Sequence, residues 1–119
     1  MAEKENIIQT KTFDFAKKVI SLYMQLKDER EFVISNQLLR SGTSIGANVE
    51  EAIAAFSKKD FIHKMNIAQK EARETKYWLK LLSETKIVNS NSDQLLSEIE
   101  EIIRILTAIV KSAQNNINN

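Results

Sequence analysis

Apolar residues recur at three- and four-residue spacing along most of this chain, and the recurrence breaks in three places. That spacing lays side chains along one face of an α-helix. Four helices are therefore predicted. The first covers residues 11–27, with Phe13, Ala16, Val19, Ile20, Tyr23 and Leu26 on one face. Phe15 and Leu22 widen that stripe, so this helix is expected to touch two neighbours. Thr10 or Thr12 could cap its start.

A short charged link, residues 28–31, leads into a second helix over 32–56. Ile34, Leu38, Ser41, Ile45, Val49 and Ala52 fall there near a seven-residue repeat. Residues 57–60, SKKD, form a break with a cap: Ser57 can accept from the Asp60 amide, and the acid suits a helix N-terminus. The third helix is predicted over 58–84. Phe61, Met65, Ala68, Ala72, Thr75, Leu79 and Leu82 repeat there like a coiled-coil seam.

Residues 86–92 are rich in turn formers, and Asn91 or Ser92 is the expected cap of a last helix over 93–113. Leu95, Ile99, Ile102, Leu106, Ile109 and Ala113 continue the spacing, with Leu96, Ile103 and Val110 in a second line. Residues 1–9 and the polar run 114–119 are expected to fray. Four such segments with short links pack most simply as an all-α, up-down-up-down four-helix bundle forming a single domain over 1–119.

Composition agrees. There is no proline, and the only glycines are Gly42 and Gly46, too few turn residues for a β-rich fold. At 119 residues and 43% hydrophobic content the chain can fill one core. With no cysteine, disulfides, thiolate metal sites and cysteine nucleophiles are excluded. No apolar run has signal-peptide or membrane-span length, so a cytoplasmic protein is expected.

Net charge is +1, but it is unevenly spread: residues 58–86 are basic on balance and 87–119 acidic. These two regions are expected to pair with each other or with neighbouring subunits.

Few residues invite chemistry. Gly42 and Gly46 sit one turn apart inside a helix, where each costs about 1 kcal/mol relative to alanine. With Ser41, Ala47 and Ala52 they make a narrow face that lets another helix approach, either inside the monomer or across a subunit contact. The segment GTSIG lacks the lysine and preceding strand of a phosphate loop. Arg40, Ser44, Asn48 and Glu51, extended by Gln37, form a polar line that is either a solvated face or an interface network.

Glu71 and Glu74 lie near Trp78, but no facing acidic pair or Glu-x-x-His motif supports a di-metal site. Glu74 is expected to bond a basic residue of another helix, and Trp78 to be mostly buried. His63, the lone histidine, reads as a surface or packed residue rather than a general base. Lys59, Lys70, Arg73, Lys76 and Lys80 make a basic flank, of which Arg73, Lys76 and Lys80 form one stripe. Such a stripe can track a phosphate backbone or stand as a solvated, ion-paired face; Glu71 and Glu74, interleaved in sequence, favour the latter.

The second and third helices resemble the bacterial four-helix bundle family encoded in 23S rRNA intervening sequences. The residues that carry the likeness are QLLRSGTSIGANV at 37–49, then Ser57, Asp60, Phe61 and Ala68, then EARETKYWL at 71–79. The resemblance implies a four-helix protomer assembling as a homopentamer. It also implies kinship with the accessory variability protein of diversity-generating retroelements, a markedly basic pentamer that binds nucleic acid and a reverse transcriptase.

The expected function is a non-enzymatic homo-oligomeric bundle, without cofactor or metal, that binds RNA or an RNA-associated protein. The alternative is a purely structural bundle with an unrelated protein partner. Arg40, Ser41, Gly42, Ser44, Gly46, Asn48, Glu51, Glu74 and Trp78 are the expected helix or subunit contacts. Lys59, Lys70, Arg73, Lys76 and Lys80 are the candidate nucleic-acid contacts.

Overall fold

The computed structural model describes residues 2–85 and 92–118, with side chains over 7–85 and 92–116. Its elements are α1 (Ala2–Asp28), α2 (Val33–Ile53), α3 (Lys58–Thr85) and α4 (Asp93–Asn118). Among the described residues every regular element is helical. The expected link at 86–91, and Asn91 as a cap, lie outside the described residues.

Each helix packs against the next, and α4 closes the ring against α1. Cross-helix pairs run in opposite directions at every side: Gln9 with Glu50, Ser41 with Thr75, Gln69 with Thr107, Lys11 with Glu101. That is the up-down-up-down order. The core is one continuous cluster fed by all four helices, with Phe15, Leu38, Ile45, Met65, Leu79, Ile99, Leu106 and Ile109 fully enclosed.

The seams of α2, α3 and α4 are buried at the predicted register, with Ile34 and Phe61 only half-buried at the ends. In α1 the register differs. The buried line is Ile8, Thr12, Phe15, Val19, Leu22 and Leu26, while Phe13 and Ile20 are 63% and 47% exposed. This helix carries two apolar lines, and periodicity alone cannot choose between them. Val19 seats over Gly42, where a Cβ would lie 2.9 Å from both valine methyl carbons. Val19 is common to both lines, and the inward one is completed by Ile8, Phe15 and Leu22, which join the core cluster.

Helix ends also depart from expectation. The first helix begins at Ala2, so neither Thr10 nor Thr12 caps it; Thr12 is buried and donates to the Ile8 carbonyl (2.8 Å). The second ends at Ile53, before Phe56, and α4 continues past Ala113 into the polar run.

The α1–α2 link is held by its own backbone. Arg30 N–H donates to Lys27 C=O and Glu31 N–H to Leu26 C=O, with Arg30 at φ 65°, the left-handed cap that usually takes glycine. Glu31 then caps α2, its carboxylate accepting from the Ile34 and Ser35 amides at 2.9 and 2.7 Å. Ser57 Oγ accepts from the Asp60 amide at 3.1 Å, the cap expected for α3. Ser92 precedes α4, its carbonyl accepting the first helical bond from Leu96.

Candidate nucleic-acid interface

The third helix sorts its polar residues by seven-residue register. Lys64, Glu71 and Trp78 fall on the side toward α2. There Lys64 bonds Glu51 at 2.9 Å, and Arg40 reaches Glu71 at 3.3 Å and also Glu74. Glu74 in turn accepts from the Trp78 indole N–H at 3.1 Å. Gln69 and Lys76 fall on the side toward α4, where Gln69 donates to Thr107.

What remains is the outer face. Its more exposed part has two lines, Lys59, Asn66, Arg73, Lys80 and His63, Lys70, Tyr77, Glu84, bordered on the α2 side by the half-buried line Asp60, Ile67, Glu74, Leu81. From Lys59 to Lys80, a span of about 32 Å along the helix, the first two lines contain no acid. Glu71 and Glu74 interrupt the cations in sequence but stand outside these two lines.

Lys59, Lys70, Arg73 and Lys80 are exposed, and Lys76 is half-buried. None of the five pairs with an acid among the described residues. Among the described residues no ion pair joins basic α3 to acidic α4. The paired acids of α4, Glu98 and Glu101, meet Lys18 and Lys11 of α1, both at 2.8 Å, and those of α3 meet α2. Two acids of α3, Glu71 and Glu74, are therefore held toward α2 by Arg40, while Lys59, Lys70, Arg73 and Lys80 stay exposed.

Sequence reasoning missed Tyr77. It is 57% exposed in the middle of this face. Its ring stands edge-on to Trp78, with centroids 5.2 Å apart and planes at 70°. The signal was the seven-residue step His63–Lys70–Tyr77, which puts the tyrosine in the cation line. Trp78 keeps part of its surface exposed and packs against the core. His63 is exposed.

The small-residue face resolves into two contacts within the chain. Gly42 and Gly46 admit α1, at Val19 and Thr12 respectively. Ser41, fully buried, meets Thr75 of α3 at 2.9 Å. Thr75 has one hydroxyl proton. Given to the Glu71 carbonyl at 2.8 Å, it leaves Ser41 to donate to Thr75. Ser44 and Asn48 spend their donors on their own helix, on the Ser41 and Ser44 carbonyls.

The charge environment is mild. The carboxylate of Glu51 raises the Lys64 ammonium above its ordinary pKa, and the Lys11 ammonium lowers Glu101 below the usual carboxylate value. Among the described residues no group of three or more His, Asp or Glu is placed to hold a metal ion, and no helix is long and apolar enough to cross a membrane. A cavity of about 350 Å³ at the α2–α3 turn is lined mainly by apolar residues, including Ala52, Phe56, Phe61 and Ala113. Ser57 on its rim is already committed to the α3 cap.

The profile of the 23S rRNA-intervening sequence protein family matches residues 4–108. The chain belongs to that family. It is also similar to a solved structure from Bacteroides thetaiotaomicron, described as a protein of unknown function from the S23 ribosomal protein family. The two are 44% identical, with a TM-score of 0.85 over 91% of this chain and 98% of that one. No curated protein matches the chain. Neither the family description nor that of the solved relative indicates an enzymatic activity.

Proposed function

We propose that this family member is a non-enzymatic, self-associating helical bundle that binds RNA through the outer face of α3. One observation carries the reading: a cation row from Lys59 to Lys80, free of acids and unpaired among the described residues, with an exposed tyrosine within it. Near-neutral net charge does not oppose it, because phosphate contact depends on local cations, and Glu71 and Glu74 are engaged by Arg40 of α2.

The test is fluorescence anisotropy of labelled RNA across a salt series. Binding should weaken steeply with salt, and Lys70→Ala/Arg73→Ala/Lys80→Ala should flatten the slope by about 2 on single strands. RNA binding unchanged in that variant would reject the face.

A second observation favours self-association. Phe13, Ile20 and Met24 form an exposed apolar line on α1, opposite its core face. Among the described residues no other helix covers this line, which supports self-association such as the homopentamer implied by the family resemblance. Light scattering of Phe13→Glu/Ile20→Glu should show dissociation; an unchanged mass would move the contact elsewhere. If the wild type assembles but never binds RNA, the structural alternative holds.

A further inference from the structure

Resting on the RNA reading, we infer that Tyr77 is a stacking platform for an unpaired base, so that the ligand class is single-stranded rather than duplex RNA. An edge-to-face pair with Trp78 can occupy only one face of the tyrosine ring. Tyr77 is 57% exposed, which leaves ring surface accessible to a stacking partner. A helical chain of contacts holds the ring's neighbour: Arg40 bonds Glu74, and Glu74 accepts from the Trp78 indole. The platform is thus braced from the α2 side, while Lys70, Arg73 and Lys80 surround it on the outer face.

Cations beside an aromatic face suit a single strand, whose phosphates meet the cations while a base stacks on the ring. A duplex offers phosphates but keeps its bases stacked on each other, so it would use the lysines and arginine and leave Tyr77 idle. Arg40, Glu74 and Trp78 then act as positioning residues, which gives the polar network between α2 and α3 a role beyond joining helices.

The experiment compares full-length wild type, Tyr77→Ala and Tyr77→Phe on an oligouridylate of roughly 12 nucleotides and on an RNA duplex of similar length. Tyr77→Ala should lose about 5- to 140-fold in affinity for the single strand. Its salt slope should stay that of the wild type, because stacking releases no counterion. Tyr77→Phe should bind like wild type, and duplex affinity should be the same for all three. A Tyr77→Ala protein that binds the oligouridylate normally, while the Lys70/Arg73/Lys80 variant does not, overturns the inference and leaves the RNA reading standing. Equal losses on single strand and duplex overturn it as well. A wild type that binds neither RNA removes both.

Discussion

Gly42 and Gly46 are one helical turn apart, yet alanine should act on them with opposite sign. Alanine is favoured over glycine by about 1 kcal/mol inside a helix, and this gain is common to both sites. At Gly46 the new Cβ would sit 3.4 Å from the Thr12 carbonyl oxygen and hydroxyl, an ordinary contact. Gly46→Ala should therefore stabilise the fold by up to about 1 kcal/mol. At Gly42 the new Cβ would lie 2.9 Å from Cγ1 and Cγ2 of Val19.

Valine in a helix has little freedom at χ1, so its methyl groups cannot swing away and the helices must separate. Overfilling of that kind costs about 1–3 kcal/mol, which exceeds the propensity gain. Gly42→Ala should be destabilising by about 1 kcal/mol, a gap of about 2 kcal/mol between two substitutions of identical chemistry. Urea unfolding followed by circular dichroism, at one fixed protein concentration because assembly shifts apparent stability, measures the gap. Val19→Ala should make Gly42→Ala tolerable and reveal the coupling in a double-mutant cycle. If Gly42→Ala is as stabilising as Gly46→Ala, the close approach of α1 to α2 at Val19 is wrong.

Other expectations follow from the helix ends and ion pairs. Arg30→Gly should stabilise by about 1 kcal/mol, because it removes the left-handed penalty of a side chain at φ 65°; a loss in thermal denaturation would contradict the cap. Glu31→Ala should cost about 1 kcal/mol by uncapping the Ile34 and Ser35 amides, read as a lower urea midpoint. Lys11 holds Glu101 below its usual pKa, so their contribution is full above about pH 4.3 and fades as pH falls through the lower folded value. Lys11→Met should be less stable than wild type at neutral pH and converge with it in strong acid. The Lys64–Glu51 pair behaves oppositely: its contribution is full below about pH 10.4 and lost as pH rises further.

Helix number, order and most of the core were legible from periodicity. In α2, α3 and α4 a single apolar line dominates, so Leu38, Ile45, Met65, Leu79, Ile99 and Leu106 could be placed inward without a structure. The cap at Ser57 needed only local chemistry, whereas a basic partner for Glu74 on another helix was expected without Arg40 being singled out for it. In contrast, α1 has apolar residues on two faces. Which line turned inward depended on how α1 meets the other helices: Ile8, Phe15 and Leu22 join the core that all four share, and spacing within α1 does not state that. Charge pairing was illegible for the same reason: the ring order of the helices puts α4 beside α1 as well as α3, and the lysines of α1 took the acids.

Local spacing thus determined that four amphipathic rods form and which edge of three of them is apolar, because a helix's own geometry sets the angle between its side chains. Tertiary structure decided the rest. By turning Glu71 and Glu74 toward Arg40, it held these two acids toward α2 and left Lys59, Lys70, Arg73 and Lys80 exposed, with Tyr77 exposed between the cations. Ion pairing across helices depends on which faces meet, and no stretch of α3 alone contains that information.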